Sequence, residues 1–175
     1  GLQYELYLLR SWNEGLADFY GAVTSGHPKF AKASIIMEFA QHRDVDVAPF
    51  RVSSRARLLS KFIGGECVPK KMLSPYYNGV QIARVLYAVA MNDEFLPVQE
   101  GNKSFSKSER AARHVLHRLK SLHAELRSKD WLKVEPDFIL SFLLKDLNIT
   151  KSCDAIKSAM GTNLAAKGLQ QCGAL

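Results

Sequence analysis

Apolar residues recur at three- and four-residue intervals along most of this chain, and each such run predicts a helix. The clearest run is Ser106 to Lys129, SKSERAARHVLHRLKSLHAELRSK. Ser106 and Glu109 form a capping-box pattern, in which the hydroxyl takes an N–H of the first turn and the carboxylate reaches back. Behind it Ala111, Val115, Leu119, Leu122 and Leu126 build one apolar stripe. Residues 2–24 show a second stripe, Leu2, Leu6, Leu9, Leu16, Tyr20 and Val23, widened by Trp12 and Phe19. This reads as a core helix that stops at Ser25-Gly26-His27-Pro28.

The rest of the chain follows the same reading. A helix is expected over 29–42, with Phe30, Ala33, Ile36, Met37 and Ala40 on one face, then a linker from Asp44 to Val52. Ser53 or Ser54 caps a helix RARLLSKFI that ends at Gly64-Gly65. CVPKKMLSPYYNG reads as an irregular basic loop, and Asn78 or Gly79 opens VQIARVLYAVAMN, apolar on nearly every side except Gln81 and Arg84. That composition belongs in the middle of a core. A connector covers 93–105. Pro136 suits the first turn of DFILSFLLKDL, and Thr150 caps KSCDAIKSAM, closed by Gly161. The tail from Thr162 to Leu175 is expected to add a weak turn and fray. The expected fold is all-α: one compact bundle of six or seven helices over residues 1–175, with little or no sheet.

Charge changes this picture more than composition does. Net charge is +7, and it is segregated. Arg51 to Arg84 holds seven basic residues against Glu66 alone, and Lys103 to Lys133 holds nine against Glu109, Glu125 and Asp130. Each block is +6, so the remainder is acidic. On the 106–129 helix Arg113, Lys120 and Arg127 recur every seven residues opposite the apolar stripe, with Arg110, His114 and His117 beside them.

The other signals are exclusions. The 3 cysteines, Cys67, Cys153 and Cys172, lack the close spacing of a zinc site and read as reduced thiols. The first residues carry no leader signature, and no apolar run is long enough to cross a bilayer. Asn148-Ile149-Thr150 fits a glycosylation pattern that is common by chance. An intracellular location, cytoplasmic or nuclear rather than secreted, is therefore expected, with no membrane partner. His114, His117 and His123 lie near one helical face, but Glu125 and Cys153 are only nominal co-ligands, so no metal is expected. No P-loop, nucleophile elbow, dinucleotide fingerprint or zinc-protease motif occurs, so no enzyme activity, catalytic residue or cofactor is expected.

Nucleic acid needs cations for phosphates and aromatic rings or guanidinium groups for exposed bases. The reading is therefore a basic cleft for RNA or single-stranded nucleic acid, in a nucleoprotein or ribonucleoprotein role. One wall is Arg55, Arg57, Lys61, Lys70 and Lys71, with Tyr76 or Tyr77 stacking on bases. The other is Arg110, Arg113, His117, Lys120 and Arg127. The alternative is a protein–protein interaction or assembly module, homo- or hetero-oligomeric, whose ridge meets an acidic partner or whose apolar faces pack on other subunits.

Overall fold

The computed structural model describes residues 2–33, 43–62, 64, 74–92 and 105–173, and its elements follow the local signals of the sequence. Among the described residues there are seven α-helices and no strand, the expected all-α fold. They are α1 (Leu2–Ser25), α2 (Arg55–Phe62), α3 (Pro75–Met91), α4 (Lys107–Arg127), α5 (Phe138–Leu144), α6 (Cys153–Met160) and α7 (Gln170–Gly173). Short 3-10 turns at Phe30–Ala33, Trp131–Lys133 and Thr150–Ser152 join them. The remainder of the helix expected over 29–42, the basic loop 65–73 and the connector 93–104 lie outside the described residues.

α3 is the central element. Val80, Ile82, Ala83, Val85, Leu86, Val89 and Ala90 are all buried, and so are the polar Asn78, Gln81 and Arg84. Buried polar groups need partners, and each of these has one. Asn78 Nδ2 donates to Tyr7 Oη at 2.7 Å, while its Oδ1 accepts from the Ser53 N–H at 2.9 Å. Gln81 Oε1 accepts from the Phe50 N–H, and Arg84 Nε donates to the Asp44 carbonyl at 2.8 Å. The polar residues of α3 therefore pin the 44–53 linker along the core. Val52 N–H also donates to the Ala159 carbonyl, which ties that linker to α6.

α1 runs beside α3 in the same direction. Tyr7 meets Asn78, and Gly15 backs on to Gly79 and Ile82. α4 returns antiparallel to α1: Tyr20 Oη donates to the Ala112 carbonyl, and past the end of α4 Trp12 Nε1 donates to Pro136 and Tyr4 Oη to Val134. α5 then covers this seam, with Phe138 5.9 Å from Trp12 between ring centroids.

Five expectations are corrected. α1 forms over the expected range, but it presents Tyr4, Tyr7, Leu8 and Trp12 to the core and leaves Leu2, Leu6 and Leu9 on the surface. Both faces of its first half are apolar, and packing chose the aromatic one. α3 begins at Pro75, not at Asn78: Ser74 is its N-cap and proline occupies its first turn, so Tyr76 and Tyr77 are helical. α5 ends at Leu144 because Lys145 leaves the helical region (ψ 138°) and Asp146 turns to φ 69°, a left-handed conformation that aspartate tolerates. The tail packs instead of fraying through its described part. Leu164, Leu169 and Cys172 are buried, and Cys172 forms a disulfide with Cys153 across a Cα–Cα distance of 5.2 Å. Two of the three cysteines are thus oxidised, not reduced.

Candidate functional site

Part of the second basic block folds into one exposed surface. α4 buries Ala111, Val115 and Leu126 and half-buries Leu119 and Leu122, as its stripe predicts. Its capping box is formed on both sides: Ser106 Oγ accepts from the Glu109 N–H at 3.2 Å, and Glu109 accepts from the Ser106 N–H at 2.8 Å. Those bonds hold the Glu109 carboxyl below its usual range. With the apolar stripe fixed inward, Arg113, His117, Lys120 and Arg127 are exposed along the opposite face. From residue 113 to 127 they span about 21 Å at 1.5 Å per residue. Lys120 and Arg127 make no ion pair with the described residues. Leu116, 56% exposed, lies among them, and Arg113 covers the Phe105 ring at 4.0 Å from its centroid.

Other members of the expected cleft are committed elsewhere. Arg110 is half-buried and donates to the Phe105 carbonyl at 2.7 Å. His114 leaves the ridge: its Nε2 bonds the Leu143 carbonyl at 2.9 Å, and burial holds its imidazole below the ordinary histidine range. Arg118 stacks on Phe142 and donates two hydrogen bonds to that residue's carbonyl, fastening α4 to α5.

The described members of the first block are dispersed. Arg55 pairs with Glu135 at 3.3 Å and reaches the Leu132 carbonyl, so its charge is matched. Arg84, which sequence counting placed in this block, is only 6% exposed. Arg57 is exposed and Lys61 half-exposed on α2, which packs against the first half of α1 through Phe62 and the rings of Tyr4 and Tyr7. Lys70 and Lys71 lie outside the described residues. Tyr76 is exposed beneath Arg43, with 5.7 Å between guanidinium and ring centroid, whereas Tyr77 is half-buried. Among the described residues Arg55 reaches the second block at residues 132–135, where Glu135 meets it.

Two further features were not foreseen. Arg43 pairs with the buried Asp18 and lies 3.5 Å from Glu14, which makes a polar knot between α1 and the linker. Burial keeps the Asp18 carboxyl above its usual range, with Arg43 opposing. A cleft of about 470 Å³ opens between the linker, the end of α3 and α6, lined among others by Asp46, Val47, Tyr87, Met91 and Asp154. Among the described residues no group of three His, Cys, Asp or Glu is placed to hold a metal ion. No described helix is long and apolar enough to cross a membrane.

Comparison with known proteins found no matching family model, no matching curated protein and no matching solved structure.

Proposed function

We propose that the chain is a helical nucleic-acid-binding domain that holds a single strand, RNA in the first instance, against α4. One observation carries this reading: an exposed face about 21 Å long on which Arg113, His117, Lys120 and Arg127 follow one another, with Lys120 and Arg127 unpaired among the described residues. Backbone phosphates meet these cations, and the exposed Leu116 and the Phe105–Arg113 stack give bases an apolar and planar surface. Recognition of this kind follows charge and shape and reads little sequence.

The test is anisotropy of a short labelled single-stranded RNA across a salt series, beside a polyanion of equal charge. With three permanent cations engaged, log K should fall against log salt with a slope of about −2, from ~0.7 counterions released per phosphate on a single strand. Lys120→Glu with Arg127→Glu should abolish most of the binding while the circular dichroism stays unchanged. Equal affinity for the polyanion, or indifference to the double reversal, would refute the reading.

A protein-interaction module is the second reading, and the Cys153–Cys172 disulfide favours it. Disulfides persist in oxidising compartments, not in the cytosol or nucleus. That supports an extracytoplasmic setting in which an acidic protein surface would meet the same ridge. In the salt series such a partner would compete with RNA.

A further inference from the structure

α1 carries two apolar faces. The inner one, with Tyr4, Tyr7, Leu8, Trp12 and Phe19, is buried in the core. On the opposite side Leu2, Leu6 and Leu9 are 69%, 50% and 38% exposed. Isolated exposed leucines are ordinary, but these are spaced as a seam. The series Leu2, Leu6, Leu9, Asn13, Leu16 alternates steps of four and three residues, the a/d alternation of a heptad. Leu2, Leu9 and Leu16 fall on d, Leu6 on a, and the exposed Asn13 on the next a position. A single asparagine at a among leucines at d is a device that fixes register between paired helices.

The flanks carry complementary charge. In this register Glu5 falls on g and Arg10 on e of the following heptad, five residues apart. In a parallel pair of helices, g of one chain lies against that e of the other. Neither residue makes an ion pair with the described part of its own chain. The seam is also already helical, because the inner face holds α1 in the fold. The nucleation penalty that keeps short isolated coils from forming is thereby removed.

We infer that the outer face of α1 docks a second copy of this chain, with the two α1 helices parallel and in register. Leu2, Leu6 and Leu9 of each copy pack on their counterparts, Asn13 faces Asn13, and each Glu5 meets the other copy's Arg10. The seam is short, so the dimer depends on concentration.

Sedimentation equilibrium of the full chain, from low to hundreds of micromolar and without nucleic acid, tests this. The expected result is twice the monomer mass at the upper end. Leu6→Glu with Leu9→Glu should give a monomer with unchanged circular dichroism, since both side chains are exposed. Glu5→Lys and Arg10→Glu should each weaken self-association several-fold, and an equimolar mixture of those two variants should restore it, because every cross-chain pair is then opposite in sign. A monomer at all concentrations, a dimer indifferent to the leucine changes, or a mixture that restores nothing would each overturn the proposal.

Discussion

Gly15 and Gly79 set the distance between the two longest-packed helices: a Cβ on Gly15 would lie 2.5 Å from the Gly79 carbonyl oxygen. From the other side, a Cβ on Gly79 would lie 2.8 Å from the Ser11 carbonyl and 2.9 Å from the Gly15 nitrogen. Both obstacles are backbone, which no rotamer change relieves. In an exposed helix alanine would be the better residue by about 1 kcal/mol; here the sign reverses. Gly15→Ala should destabilise by about 1–3 kcal/mol, the usual range for overpacking, seen as a lower urea midpoint with the slope unchanged. An increase in stability would mean that the two helices separate more easily than their packing implies.

The disulfide closes a loop over a sequence separation of 19 residues. Constraining the unfolded chain over such a loop is worth about 3 kcal/mol in the chain-entropy treatment. Cys172→Ser should lose that much in urea unfolding. A reductant should lower the melting temperature of the wild type and leave the Cys172→Ser protein where it is.

His114 gives the fold a pH dependence of defined sign. Burial, the first of its causes, holds the folded imidazole below the value of 6.5 it has when unfolded. The unfolded chain therefore takes up the proton first. Stability is fully present above about 6.5 and is lost as pH falls from there through the lower, folded value. Melts at mildly alkaline and mildly acidic pH should show a smaller drop for His114→Gln, which keeps a donor for the Leu143 carbonyl and does not titrate. Parallel drops in both proteins would remove His114 as the cause.

Asp137 is 6% exposed and paired with Lys167, whose Nζ also donates to the Met160 carbonyl at 2.7 Å. Removing the cation alone strands a buried carboxylate, so Lys167→Met should cost about 3 kcal/mol, the low end for buried pairs because Lys167 is partly exposed. Adding Asp137→Asn should recover part of the loss. Burial already raises the Asp137 carboxyl above its usual range. The folded state therefore takes up that proton first, and the stability deficit of Lys167→Met should narrow as pH falls through that raised value.

What could be read from the chain was what neighbours in sequence decide. The Ser106–Glu109 box, the inward stripe of α4, the Ser54 contact with the Arg57 N–H and the end of α6 at Gly161 with φ 79° all follow from residues within one turn. The buried α3 was legible too, since it has no polar face to present. Where two answers satisfied the same period, the sequence could not choose: in α1, Leu2, Leu6 and Leu9 recur as regularly as Tyr4, Leu8 and Trp12. Partners far apart in sequence were equally hidden. Summing Arg55 and Arg84 into a basic block missed Glu135, 80 residues away, and the Asp44 carbonyl that takes the Arg84 Nε. The same holds for Cys153 and Cys172, whose spacing resembles no framework that a reader would pair. Arg113, Lys120 and Arg127 share one exposed face because the helix that carries them places them, while the positions of Arg55 and Arg84 needed the tertiary fold.

The last described turn, Gln170–Gly173, is doubly fastened. Gln171 accepts from the Ile149 N–H and donates to the Leu147 carbonyl, beside the bond that joins Cys172 to Cys153. Residues 153–172 therefore form a covalent ring, and the exposed stretch at Thr162, Asn163, Ala165 and Ala166 lies on its rim. A protease that cuts there opens the ring without parting the molecule. The two pieces migrate as one until a reductant is added, and Gln171 keeps its grip on Leu147 and Ile149 in the meantime.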